Sequence, residues 1–132
     1  MAGLQGLEEK LSADGLEVLG FLSNDFGNQG GNDGQVDACT DKYGITFDQF
    51  AIDHVKGPDV QPVWKWLLAQ PNPGPAMPME PAWNFHKYLI SRDGKLVGHW
   101  ASPVYPGDDP DNPNDSFDTN PIVIAIKDEL AK

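Results

Sequence analysis

The sequence is poor in thiols, in basic residues and in long apolar runs. A single cysteine, Cys39, occurs in 132 residues. No intramolecular disulfide and no CxxC redox pair can form from it, and a reducing compartment is the natural reading. Nine lysines and arginines stand against twenty aspartates and glutamates, a formal charge of −11. That balance argues against nucleic acid or an anionic membrane surface as a partner. No run is long and apolar enough to span a membrane. The opening "MAGLQGLEEKL" has neither the basic n-region nor the apolar h-region of a secretory leader, so a cytoplasmic location is expected.

Chemical motifs are scarce too. His54, His86 and His99 have no metal-ligand spacing with Cys39. "DDPDNPND" puts Pro113 where a calcium loop needs a ligand and lacks the glycine of the sharp turn. "GNQGGNDG" follows a strand-like run, but it has no P-loop lysine and has Asp25 and Asp33 beside it, a poor setting for an anion. No metal or cofactor site is expected. No Ser/His/Asp arrangement can be read from spacing.

What is present is an alternation of elements. Leu4, Leu7 and Leu11 recur at helical spacing over residues 3–13. "LEVLGFL" (16–22) reads as a buried strand, followed by a polar loop over 24–34. A helix over 35–43 would stack Val36, Cys39 and Tyr43 on one face, and "ITFDQFAI" (45–52) reads as extended. "DVQPVWKWLLAQ" reads as a helix opened by Asp59 with Pro62 in its first turn. A proline-rich loop follows over 71–81. Strands at 84–91 and 95–101 are joined through Asp93-Gly94, a hairpin signal. Residues 102–120 form an acidic irregular insertion, with five aspartates from Asp108 to Asp118. Asn120 and Pro121 then suit the N-cap and first position of a last helix, with Ile122, Ile126 and Leu130 inward. The length suits one domain over 1–132, and the order of elements suits an α/β class with helices able to cover both sheet faces.

Two stretches carry a family resemblance. "GLEVLGFLSNDFGNQ" resembles the glutathione peroxidase signature "VLGFPCNQFG", which is followed shortly by a glutamine. "WNFHKYLISRDGKLV" resembles that family's "WNFTKFLIDRDGKVV". Between them, "YGITFDQF" and "QPVWKWLLAQP" resemble "YGVTFPLF" and "HPLWKWL". The match is collinear from about Gly3 to Val97. The resemblance implies a thioredoxin-like fold and thiol-dependent reduction of hydrogen peroxide or organic hydroperoxides, with glutathione or thioredoxin as co-substrate and no cofactor. It implies that Gln29, Trp83 and Asn84 are donors around a selenocysteine or cysteine nucleophile. Ser23 stands at a cysteine of the signature that is not the peroxidatic residue, and Gly30-Gly31 replaces the usual Glu-Pro. Cys39, in "DACTDKYG", lies in the context of the resolving cysteine of thioredoxin-dependent members; the competing reading is a cysteine packed in the core.

The family's nucleophile belongs to a strand preceding the helix that matches 3–13. The resemblance therefore implies a thioredoxin-like fold lacking its N-terminal hairpin and central first strand, with the nucleophile absent. One explanation is a selenocysteine-type peroxidase whose start was misplaced past an in-frame UGA codon, which the upstream reading frame would test. The other is a short, catalytically inactive binding or regulatory module. The short connection after "VWKWLLAQP" resembles the phospholipid-hydroperoxide type and implies a monomer.

Overall fold

The computed structural model describes residues 1–27 and 31–132, so Gln29 lies outside the described residues. The chain divides into two compact units. The first comprises Met1–Gly20, Asn32–Phe50 and Tyr105–Lys132, and the second Phe21–Gly31 and Ala51–Val104.

In the first unit the leucine spacing produces helix α1 (Ala2–Leu11), which continues as a short 3-10 turn, Ser12–Asp14, closed by Gly15 in the left-handed region. Leu7 and Leu11 are buried, as are Ile45, Phe47, Ile122, Val123 and Ile126. α1 packs closely because Gly3 has no side chain. A Cβ there would stand 2.5 Å from the Pro106 carbonyl oxygen and 2.7 Å from the Tyr105 ring. The strand expected over 16–22 is shorter, β1 (Leu19–Phe21), and pairs with β2 (Asp48–Phe50). Gly20 gives the pair its close approach, since a Cβ would meet the Phe47 ring at 3.2 Å.

Helix α2 (Asp33–Tyr43) opens with a capping box. The Asn32 side chain accepts from the Gln35 N–H, and the Gln35 side chain accepts from the Asn32 N–H. It ends at Gly44, whose φ of 60° suits glycine. Helix α4 (Pro121–Leu130) begins as the sequence predicts, with Asn120 as N-cap and Pro121 at its first position. Its Ile122 and Ile126 are buried and Leu130 is half-buried. The acidic 102–120 stretch is made of turns plus a 3-10 turn at Phe117–Thr119. Lys10 and Lys127 both lie over the Phe117 ring and pair with Asp108 and Asp118.

The second unit is built on Phe26, Val55, Trp64, Leu67 and Leu96, with Phe21, Val60, Met79 and Tyr88 packed against them. Trp64 meets the rings of Phe21 and Tyr88 edge-on at 5.9 and 5.1 Å, a geometry favoured by the ring quadrupoles. Helix α3 (Pro62–Leu68) has Gln61 at its N-cap position, without a side-chain cap hydrogen bond, and does not open at Asp59 as expected: proline is favoured at the first helical position, which puts the N-cap immediately before Pro62. Strands β3 (Lys87–Ile90) and β4 (Leu96–Trp100) pair antiparallel, with Lys87 opposite Trp100, Tyr88 opposite His99 and a slip between Leu89 and Ile90. The predicted turn is present: the Ser91 N–H donates to the Lys95 carbonyl at 2.8 Å, and Gly94 has a φ of 80°. β3 starts at Lys87 instead of residue 84, because Trp83–Phe85 form a turn with Phe85 at a φ of 59°. Among the described residues the strands form two separate two-stranded sheets.

Candidate active site

The residues expected to act divide between the units. Trp83 and Asn84 share one turn of the second unit, directly before β3. The Trp83 ring is half exposed and sits 6.0 Å from the buried Phe26 ring. Asn84 is half-buried, and its carbonyl accepts a hydrogen bond from the Ser102 hydroxyl, just past β4. Gln29 belongs to a segment outside the described residues. Cys39 lies on α2 in the first unit and is exposed. The core-packing reading of Cys39 is therefore corrected: α2 turns Cys39 and Tyr43 outward, and only Val36 of the expected face is half-buried.

Two side-chain pairs of the second unit have no counterpart among the expected site residues. The first joins Asp25 to His54, with His54 Nδ1 2.7 Å from Asp25 Oδ1. Asp25 Oδ2 accepts from the backbone N–H groups of Val55 and Lys56 at 2.8 and 3.3 Å. Burial pushes the Asp25 carboxyl up, but the hydrogen bonds from His54 and from these backbone donors outweigh it and hold it at about 2. The same hydrogen bond raises His54, whose ring is well exposed. Ser23 is buried and its hydroxyl accepts from the Asp25 N–H at 3.1 Å, so it shapes this turn.

The second pair is His86 and His99, with Nε2 of the former 3.0 Å from Nδ1 of the latter. The protons on this pair can be assigned from Asn72. Its Nδ2 donates to the Met77 carbonyl at 2.8 Å, and its Oδ1 accepts from the Gly74 N–H at 2.9 Å. The Asn72 oxygen therefore faces His99 Nε2, 2.8 Å away, which must carry a proton. In neutral His99 the Nδ1 is then an acceptor, and His86 Nε2 is the donor to it. The rings of His86, Tyr88 and His99 stack nearly parallel, 4.8 to 5.8 Å apart. Burial lowers His86 to about 4 and lowers His99 as well. Next to them, burial lowers Lys87 to about 8, and its ammonium donates to the carbonyls of Ala101 and Ser102 at 3.0 and 3.3 Å.

A family model described as glutathione peroxidase matches residues 1–68. The chain belongs to the glutathione peroxidase family. Trp83 and Asn84 lie beyond that matched stretch. A hydroperoxy fatty acid reductase gpx1 of Synechocystis is 39% identical over 111 residues, covering 79% of this chain and 65% of that protein. A glutathione peroxidase of Lactococcus lactis is 36% identical, covering 79% and 66%. A phospholipid hydroperoxide glutathione peroxidase of Sus scrofa is 35% identical, covering 74% and 50%. The chain thus spans between half and two thirds of the length of these glutathione peroxidase relatives. A crystal structure of Trgpx in the apo form aligns with a TM-score of 0.68 and 26% identity, covering 98% of this chain and 69% of that one. The fold is accordingly α/β and thioredoxin-like. No helix among the described residues is long and apolar enough to cross a membrane.

Proposed function

We propose that this chain carries the donor side of a peroxidase site for thiol-dependent reduction of hydrogen peroxide or organic hydroperoxides. In that reaction a thiolate or selenolate attacks one oxygen of the peroxide. The O–O bond breaks, the chalcogen becomes a sulfenic or selenenic acid, and the departing alkoxide or hydroxide takes a proton to leave as alcohol or water. Two thiols then return the chalcogen to its reduced form, giving a disulfide and water. Negative charge moves from the chalcogen to oxygen along this path, so fixed N–H donors beside it stabilise the transition state. In this reading the indole N–H of Trp83 and the carboxamide of Asn84 are such donors, and the resemblance adds the carboxamide of Gln29.

The observation that carries this reading is the placement of Trp83 and Asn84 together on one tethered turn in a chain of the glutathione peroxidase family. In this reading the attacking chalcogen is not Cys39, the one thiol of these 132 residues, because its "CT" context resembles the family's resolving position and not the nucleophile's. A charge of −11 disfavours anionic glutathione and favours a protein thiol such as thioredoxin as reductant. The second reading is an inactive thioredoxin-fold module, and the same absent chalcogen favours it for the chain alone.

The test is hydroperoxide consumption with glutathione and with thioredoxin. The 132-residue chain alone is expected to give no turnover above background. Robust turnover abolished by Cys39→Ser would make Cys39 the nucleophile and overturn the assignment.

A further inference from the structure

Phe85 is the only non-glycine residue among those described with a positive φ, 59°. For a bulky side chain this conformation is unfavourable and persists only where the surroundings impose it. The Phe85 side chain cannot impose it, since it is half exposed. The constraints lie on either side. Before Phe85, the Asn84 carbonyl is held by the Ser102 hydroxyl. After it, His86 donates to His99, whose ring is anchored in turn on Asn72. Lys87 then grips the Ala101 and Ser102 carbonyls. The end of β4 and the residues just past it therefore hold the chain on both sides of one strained residue.

Relaxing Phe85 to a negative φ would rotate the chain ahead of it. The residues immediately ahead are Asn84 and Trp83. We propose that Phe85 is a strained pivot, clamped by Ser102 and by the His86–His99 pair, that sets the direction in which Trp83 and Asn84 are presented. Phe85 and Ser102 are positioning residues in this assignment. Its functional meaning rests on the peroxidase reading above, whereas the clamp itself is a physical claim that can be tested without turnover.

The experiment is a double-mutant cycle that cuts the clamp with and without the strain. Asparagine tolerates positive φ far better than phenylalanine, so Phe85→Asn keeps the turn and removes most of the strain. Two readouts are taken: amide hydrogen exchange at residues 84–86, and the indole N–H resonance of Trp83, assigned by its loss in Trp83→Phe. Ser102→Ala is expected to speed exchange about tenfold and to shift the Trp83 resonance. In the Phe85→Asn background the same cut is expected to change exchange less than about threefold and to leave the resonance in place. Equal effects in the two backgrounds would overturn the pivot, because the clamp would then not be working against strain. An unmoved Trp83 resonance in Ser102→Ala would overturn the positioning role. A protein that passes this test but shows no peroxidase activity in any form would keep the clamp and lose the peroxidase reading.

Discussion

The two units satisfy their buried polar groups in different ways. In the first, the described buried polar side chains are neutral amides, Gln5 and Asn120, with the carboxylates of Glu9 and Asp115 as longer partners at 3.2 and 3.5 Å. Gln5 is buried and exchanges two hydrogen bonds with Thr46, 2.8 Å to its N–H and 2.9 Å to its hydroxyl. Asn120, 1% exposed, donates to the Tyr105 and Gly107 carbonyls and accepts from the Ile122 and Val123 N–H groups. In the second unit the buried Ser23 is neutral, but the side-chain pairs are titratable: half-buried Asp25 with exposed His54, and half-buried His86 with buried His99. Neutral amides hold a fold at any ordinary pH, whereas imidazoles and carboxylates make it respond to protons. The unit that holds Trp83 and Asn84 is therefore the responsive one, and it also contains the strained Phe85. That concentration fits a site whose geometry matters more than its stability.

The comparison is broken most severely at Asn120. Its one carboxamide caps α4 and satisfies two buried carbonyls. Asn120→Ala is expected to cost about 2–4 kcal/mol, read from the denaturant midpoint, because it removes the cap and leaves buried acceptors without partners. The penalty should be nearly the same at pH 5 and pH 8, since the cap and both carbonyl partners are neutral and the one ionisable partner, the Asp115 carboxylate, stands at a long 3.5 Å. Gly3→Ala comes next. Its new Cβ would collide with the Pro106 carbonyl, a backbone atom that cannot rotate away. A loss of about 1–3 kcal/mol is expected for such overpacking, seen as a lower Tm.

Much of this was legible in the sequence, and the exceptions have physical causes. Asn120-Pro121 announced its helix because cap chemistry is local. Asp93-Gly94 announced the hairpin for the same reason. The helix after Asp59 was misplaced by two residues because aspartate is a common cap and the decisive signal was Pro62. The order of elements was readable, whereas Trp83 and Asn84 are singled out only by the family resemblance. The histidine pair forms no local motif, because His86 and His99 stand on different arms of the hairpin's chain path. The hairpin would have revealed it, since a turn at Asp93-Gly94 lays Tyr88 opposite His99 and brings His86 within a diagonal. The Asp25–His54 pair had no such signal, because it joins two loops through tertiary packing. The strain at Phe85 had none either: phenylalanine in "WNFHKYLI" reads as strand.

The histidines separate the units by pH. His86 binds its proton less readily in the folded state, about 4 against the ordinary value of 6.5. As pH falls through that window the unfolded chain takes up the proton first, so stability falls with it and the loss levels off below about 4. His99 shifts in the same direction, and the neighbouring Lys87 charge disfavours protonation of His86 further. Thermal unfolding of the wild type should therefore weaken progressively between pH 6.5 and pH 4. His86→Gln, which retains an N–H donor toward His99, should flatten that slope. A slope unchanged by the substitution would place the pH response elsewhere.

The smallest effect belongs to the Asp25–His54 pair, and its sign is opposite. His54 binds its proton more readily when folded, so its contribution is fully present below pH 6.5 and fades as pH rises through its raised value. The Asp25 carboxyl, held at about 2 against an ordinary 3.8, contributes above pH 3.8 and loses that contribution only as pH falls through about 2. Both groups are therefore charged and paired between pH 4 and 6.5, the window in which His86 is becoming a liability. His54→Ala should lower Tm slightly in that window and not at pH 9. His54 is well exposed to solvent, which screens the pair and keeps the effect small. Asp25→Asn should cost more than His54→Ala, because Asp25 also accepts from the Val55 and Lys56 backbone and so fixes the loop that carries His54. If the two substitutions proved equal, the aspartate would matter only as a partner for the imidazole. If His54→Ala were instead as damaging at pH 9 as at pH 5, the ring would be acting through packing, and the contrast between an amide-held unit and a proton-responsive one would rest on His86 and His99 alone.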